Sequence, residues 1–382
     1  FNGDGQKDIW QNHADAIGSV ANYFKRHGWK KGQPVTDKVT LSDSATLTEK
    51  DGCKRSCKPK QSIADLMKKG IVVRSTGSWY EVQLEDGSRV RARIIGKFRL
   101  GDIKTTNPVG VGDIVWVEME SGEEVRALIK DIESRENYVV RQSPRKKHQL
   151  HLIAANIDQA VLIVTIVEPS LKQGFIDRFL LTTEPHNIPA VILFNKADLY
   201  GEEEMAIFEY LSSVYNNIGY PCHLVSAQTG AGLDILKDIL KDKTTLMSGQ
   251  SGVGKTSLIN AIQPQHELRT GDLSGSTGKG QHTTTFAEWF NLDFGGAIID
   301  TPGIKTLSFN NLEPMDVTHN FRELFQASEH CKFANCTHRN EPGCAVKAAV
   351  ESGEISELRY FNYLQIMDEI EEQNYWERHK DM

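Results

Sequence analysis

The sequence predicts a multidomain chain: a small barrel of short strands, then an α/β domain with a mostly parallel sheet, then a helical C-terminal segment around a metal knuckle. Three observations predict this order. Between residues 70 and 132, short runs alternate apolar and polar residues, punctuated by Asp86-Gly87, Gly110-Val111-Gly112 and Ser121-Gly122. From Ile157 the texture changes to near-continuous apolar runs alternating with helical patterns, as a sheet covered on both faces requires. Near the end, three cysteines and a histidine crowd together as Cys331-x₄-Cys336-x-His338-x₅-Cys344.

Composition bounds the reading. A chain of 382 residues has room for about two to four domains. With 39% hydrophobic and 25% charged residues it has the balance of an ordinary soluble globular chain. No apolar run approaches the roughly 18–20 residues that span a bilayer, so no membrane partner is expected. No basic, apolar leader opens the sequence. It starts at Phe1 rather than Met, so the natural start is expected elsewhere. A formal net charge of −7 argues against a wholesale polyanion binder but leaves room for local basic patches. Six cysteines are too sparse for a disulfide scaffold, which points to a cytoplasmic location.

Residues 1–66 stand apart. Phe1-Asn2-Gly3-Asp4-Gly5-Gln6-Lys7-Asp8 has the pattern of a calcium loop lacking its first aspartate. An amphipathic helix follows over residues 15–24, ending near His27-Gly28-Trp29. Together with Ser62-Ile63-Ala64-Asp65-Leu66, this stretch resembles a piece of the lytic murein transglycosylase B family, without that family's catalytic-glutamate region. A fragment this small buries little core. We expect it to be non-functional, with the working protein beginning near Met67. Asn2, Asp4 and Asp15 read as solvated loop residues rather than a Ca²⁺ site. Cys53 and Cys57 have no second ligand pair and read as free thiols.

Residues 67–140 read as five short strands: 70–75, 79–84, 88–94, 114–120 and 125–132. That number of strands in so short a span suggests an OB-type barrel, a fold that often binds oligonucleotides. Arg89, Arg91, Arg93, Lys97 and Arg99, with Trp79 and Tyr80, mark a face suited to RNA. Any one of these arginines alone is better explained as a solvated strand residue. Residues 141–150, basic and marked by Pro144, read as a linker and domain boundary.

Residues 151–310 form the α/β unit. Strands are expected at 159–167, 190–194, 223–225, 244–247, 286–292 and 297–299, and helices at 175–183, 202–215 and 232–240. Gly249-Gln250-Ser251-Gly252-Val253-Gly254-Lys255-Thr256 fits G-x-x-x-x-G-K-[ST] between a strand and a helix that continues through Ser257. Its glycines let backbone N–H groups turn toward phosphates, Lys255 reaches the β- and γ-phosphates, and the Thr256 hydroxyl suits Mg²⁺. Asn195-Lys196-Ala197-Asp198 ends one strand, and Ser226-Ala227 ends another. A carboxylate at Asp198 accepts both N–H bonds of a guanine edge, which adenine lacks, and the Ala227 N–H suits guanine O6. GTP therefore fits better than ATP. Asp300-Thr301-Pro302-Gly303 supplies a Mg²⁺-holding acid and a γ-phosphate sensor. Residues 278–285 supply switch threonines, of which Thr284 is the candidate Mg²⁺ ligand.

The order of these segments is circularly permuted, because the base-reading motifs precede the phosphate loop. A site assembled in space survives such a cut and rejoining. Ile304 follows the Asp300 motif where a water-orienting glutamine often stands, so slow intrinsic turnover is expected. His282 is the candidate catalytic residue, weighed evenly against a surface histidine.

Residues 311–382 carry the Cys331, Cys336, His338 and Cys344 set, four ligands suited to closed, structural Zn²⁺. Lys332 and Arg339 beside it are candidates for phosphate contact. Residues 351–373 read as one or two helices whose Tyr360, Phe361, Tyr363 and Leu364 pack inward.

This combination of barrel, permuted GTPase motifs, His-Thr-Thr-Thr switch and knuckle resembles the RsgA family of small-ribosomal-subunit biogenesis GTPases, over about residues 68–382. The resemblance implies binding to the 30S subunit and its 16S rRNA, GTP hydrolysis to GDP stimulated by that subunit, and a role in late maturation. It also implies a monomer. Two other readings stay open: a GTP-dependent switch with a protein target, and a cell-wall-associated fusion using residues 1–66.

Overall fold

The computed structural model describes residues 67–77, 79–94, 107–120, 126–142, 150–264, 287–301 and 312–378, all within the compact unit Gln61–Met382. The readings placed on residues 1–66, Lys97, Arg99, His282, Thr284, Gly303 and Ile304 lie outside those residues.

The alternation in the first strands closes a barrel. Its strands are β1 (Met67–Ser75), β2 (Tyr80–Leu84), β3 (Arg89–Ile94), β4 (Ile114–Glu120) and β5 (Arg126–Ile132). They pair in the order β1-β2-β3-β5-β4, and β4 returns to β1, which closes the barrel. In β3, Val90 and Ala92 face the interior while Arg89, Arg91 and Arg93 stay exposed, as a period of two dictates. At Gly70, which pairs with both Leu84 and Val115, a Cβ would lie 2.7 Å from the Gln83 carbonyl, so only glycine fits the closure.

Two strands absent from the sequence reading follow. β6 (Tyr138–Gln142) and β7 (Leu150–Ala155) form an antiparallel ribbon. The expected linker at 141–150 therefore has paired strand residues at both ends. Its basic middle hid the ribbon, because charge masks the apolar alternation that announces a strand.

The α/β unit adds β8 (Gln159–Val164), α1 (Phe175–Thr183), β9 (Ala190–Phe194), α2 (Glu202–Asn217), β10 (Cys222–Leu224), α3 (Leu233–Leu240), β11 (Thr244–Gly249), α4 (Lys255–Ile262), β12 (Glu288–Asn291) and β13 (Ala297–Asp300). The sheet order is β10-β9-β8-β11-β13-β12, parallel except for β12. Why β8 and β9 are apolar throughout is plain from their two faces. Ala160, Leu162, Val164, Ile192 and Phe194 join the core beside α1 and α2, and Val161, Ile163, Val191 and Leu193 join the core beside α3 and α4. Arg74 of β1 pairs with Glu288 of β12, so the barrel continues the sheet.

The C-terminal segment folds as α5 (Pro314–His319), α6 (Arg322–Ser328), α7 (Ala345–Glu351) and α8 (Glu357–Arg378) around its own core, which includes Val317, Phe321, Leu324, Tyr363 and Ile366. Of the four residues expected to pack inward, Tyr363 is buried and Tyr360 and Leu364 are half-buried, but Phe361 is exposed. The segment is bolted to α1 by a buried network. The Arg359 guanidinium, 2% exposed, donates to Asp177 of α1 and, at 2.6 Å, to Glu323 of α6. Tyr215 and Asn362 also donate to Asp177. No described helix is long and apolar enough to cross a membrane.

Candidate functional site

The carboxyl ends of β8, β9, β11 and β13 meet along one edge of the sheet, where an open parallel sheet gathers its ligand. The phosphate-loop sequence connects β11 to α4 as expected. Gly252 and Gly254 adopt left-handed backbone (φ 87° and 89°), open to glycine without strain. At Gly254 the absence of a Cβ is also steric, because that atom would lie 2.4 Å from Asn195 Nδ2. Gly249 needs the same freedom against the Ile163 carbonyl, 2.4 Å from where its Cβ would be.

That close approach brings distant motifs together. Asn195, 1% exposed, donates from Nδ2 to the Val253 carbonyl inside the phosphate loop at 2.7 Å. Its Oδ1 accepts from the Ala227 N–H at 3.4 Å. One amide therefore ties the strand end of β9 to the strand ends of β10 and β11. Lys196 adopts left-handed backbone (φ 64°), and its ammonium donates to the Glu168 carbonyl. Asp198 is exposed, and its Oδ1 accepts from the Ser226 hydroxyl. Ser226 Oγ in turn accepts from the Gln228 and Thr229 N–H groups at 3.2 and 3.1 Å. An exposed carboxylate held through one oxygen has acceptor capacity left for N–H donors of a base. Ala197 lies between, its N–H bonded to Val225 at 3.1 Å.

The phosphate end is electrostatically poised. Lys255 Nζ donates to the Gly249 and Gln250 carbonyls at 3.0 and 3.4 Å, which curls the ammonium over its own loop. Burial pulls its pKa down, and Asp300 works the other way. Burial pushes the Asp300 carboxyl up to about 7, against the pull of Lys255 and with a further push from Glu288. Asp300 Oδ1 is buried with no hydrogen-bond partner among the described residues. An orphaned, reluctantly ionised carboxylate next to an ammonium fits a divalent cation and its waters. Thr256 is buried at the first turn of α4, while Gln250 is half-exposed and Ser251 and Ser257 are exposed.

The knuckle gathers its four residues as the spacing requires. The ligand atoms of Cys331, Cys336, His338 and Cys344 all lie within 4.8 Å of one another. His338 Nδ1 lies 3.7 Å from Cys331 Sγ and 3.4 Å from Cys344 Sγ. A tetrahedral Zn²⁺ with its ordinary bond lengths sets such S···N edges at about 3.6 Å. His338 is held in left-handed backbone (φ 60°), uncommon for a residue with a Cβ. Its carbonyl accepts from Tyr360 at 2.6 Å, and Thr337 accepts from Tyr363 at 2.9 Å. Burial pushes the Cys336 thiol up to about 12. Three thiols gathered around an imidazole nitrogen fit a soft divalent ion. Arg339 is not a free phosphate contact, since it pairs with Asp368 at 3.1 Å and Glu371 at 2.8 Å.

On the barrel, the Arg91 and Arg126 guanidinium groups sit over the Trp79 ring at 5.4 and 5.6 Å. Arg74, Arg89 and Glu81 line an open pocket with Trp79 and Arg91. Tyr80 borders the same pocket, but its side chain is buried in the barrel core, its hydroxyl donating to Asn107.

Comparison with known proteins gives the family. The family model described as RsgA GTPase matches residues 132–310, and the RsgA N-terminal domain matches 69–126. The small ribosomal subunit biogenesis GTPase RsgA of Phocaeicola vulgatus is 49% identical over 307 residues, covering 80% of this chain and 98% of the relative. The chain belongs to the RsgA family. RsgA 2 of Bacteroides thetaiotaomicron is 48% identical over the same shares. The crystal structure of YjeQ from Thermotoga maritima aligns with a TM-score of 0.64 at 36% identity, covering 80% of this chain and 99% of that one. YloQ, a circularly permuted GTPase, aligns at 0.61 and 31%, covering 82% and 98%. Membership makes the chain a GTP-hydrolysing enzyme with a permuted G domain. A transglycosylase SLT domain model also matches residues 1–94, farther than the expected 1–66. Its last part overlaps the RsgA N-terminal match, and there the chain forms the barrel strands β1 to β3.

Proposed function

We propose that the chain binds the small (30S) ribosomal subunit through its 16S rRNA and hydrolyses GTP there during late maturation. One observation carries the nucleotide half: the Asn195 amide bound at once to Val253 and Ala227. It supports a single pocket in which Asp198 reads guanine, the Ala227 N–H meets O6, and Lys196 flanks the base. In the same reading, residues 249–256 wrap the phosphates, with Ser257 closing the first helical turn. Thr256, Thr284 and Asp300 would hold Mg²⁺, which would supply charge neutralisation on the phosphates. Gly303 senses the γ-phosphate. Intrinsic turnover is slow, and subunit binding stimulates it with His282 in the catalytic role. Cys331, Cys336, His338 and Cys344 would hold a structural Zn²⁺.

The ribosomal half draws on the names of the relatives, which describe small-subunit biogenesis GTPases. The barrel face supports it, since Trp79 with Arg91 and Arg126 offers a stacking surface flanked by cations. A cytoplasmic location follows from that role, and the family resemblance implies a monomer. The test is co-sedimentation of residues 67–382 with 30S subunits in a non-hydrolysable GTP analogue and in GDP. Co-pelleting in the analogue and release in GDP, with faster GTP turnover on subunits, is the expected result. No co-pelleting in either nucleotide overturns the ribosomal reading.

A further inference from the structure

The Asn-Lys-x-Asp loop is anchored by a residue outside its signature. The Tyr200 hydroxyl donates to the Asn195 carbonyl at 2.9 Å and accepts from the Ile166 N–H at 3.1 Å. The Asn195 carbonyl belongs to the peptide unit that leads into Lys196, the residue held at φ 64°. Left-handed backbone at a residue with a Cβ persists where its surroundings over-determine it. Three contacts do so here: the Asn195 side chain on Val253, the Lys196 ammonium on the Glu168 carbonyl, and the Tyr200 hydroxyl on the peptide itself. Two of the three reach residues 166–168, just past the end of β8. The same segment approaches the phosphate loop, where Pro169 lies 3.6 Å from the place of a Gly252 Cβ.

We infer that Tyr200 is a positioning residue for guanine recognition: its hydroxyl fixes the peptide between Asn195 and Lys196, and thereby the direction in which Asp198 presents its carboxylate. The inference rests on the reading of Asp198 as the guanine-binding group. Tyr200 needs no contact with the nucleotide for this role, since these bonds of its hydroxyl are both to backbone. It acts by preventing the loop from relaxing out of its left-handed turn, which would rotate Asp198 off the base edge. A base that offers two N–H donors loses more from such rotation than one that offers a single donor.

The test compares Tyr200→Phe with Asp198→Asn in equilibrium titrations of GDP and inosine diphosphate, which lacks the exocyclic amine. Phenylalanine keeps the ring that packs against the α1–α2 core, so the variant should stay folded, its thermal midpoint lowered only by the hydroxyl's lost bonds. Losing the hydroxyl strands one N–H and one carbonyl, and the GDP-over-IDP preference should fall by roughly three- to ten-fold. Asp198→Asn should abolish that preference. If Asp198→Asn abolishes it and Tyr200→Phe leaves it within two-fold, the positioning role is overturned while the guanine site stands. If Asp198→Asn leaves the preference intact, the site reading falls and this inference falls with it.

Discussion

Replacing Asn195 with alanine removes one amide and leaves the backbone of three loops in place. In the folded chain that amide donates to Val253 at 2.7 Å and accepts from Ala227 at 3.4 Å. Only the first is a strong bond by its length, so it sets the magnitude. The Val253 carbonyl lies in a loop whose own side chain is buried, and stranding such a group costs about 1–3 kcal/mol. The loss falls on the assembled pocket rather than on the core, because the sheet and its helices keep all their packing. GDP affinity should therefore drop about 5- to 150-fold, with a small change in thermal midpoint. Isothermal titration with GDP reads the first and a thermal melt the second. Affinity within two-fold of the parent would refute the claim that this amide holds base loop and phosphate loop together.

Asp300 gives a pH-dependence. Its carboxyl is raised from 3.8 to about 7, chiefly by burial. Its contribution to stability is therefore full below about pH 4 and lost as the pH rises through about 7. In melts without nucleotide, the parent should lose stability between about pH 5 and about pH 8 more steeply than Asp300→Asn, and equal slopes would contradict the assignment. Cys336→Ser should lower the zinc content measured by elemental analysis and loosen the C-terminal helices in hydrogen exchange. Full zinc occupancy in that variant would remove Cys336 from the ligand set. Arg359→Ala leaves the fully buried Asp177 without its cation and should cost about 3–5 kcal/mol in urea unfolding. A loss under about 1 kcal/mol would mean the network is dispensable.

The sequence made some of this visible and concealed the rest for definable reasons. The barrel strands and β8, β9 and β11 announced themselves because their period and apolarity follow directly from which faces are covered. The phosphate loop, the Asn-Lys-x-Asp loop and the knuckle were legible because each concentrates its chemistry in a few adjacent residues. Tyr200 was not, since its role depends on a backbone N–H at Ile166, far away in the chain. Arg359 was hidden for a similar reason. A lone arginine in a helix reads as solvated, and only the fold shows that Asp177 and Glu323 meet it. Helices α5 and α6 are too short for a helical period to stand out. Tyr80 misled because an aromatic beside half-buried Trp79 turns its side chain into the barrel.

The most direct measurement is an experimental structure of this chain crystallised with GDP and Mg²⁺. The account predicts the guanine edge against the Asp198 carboxylate and the diphosphate inside residues 249–256, bridged by the unaltered Asn195-to-Val253 bond. A diphosphate in that loop with the base turned away from Asp198, or a nucleotide bound elsewhere, would contradict it.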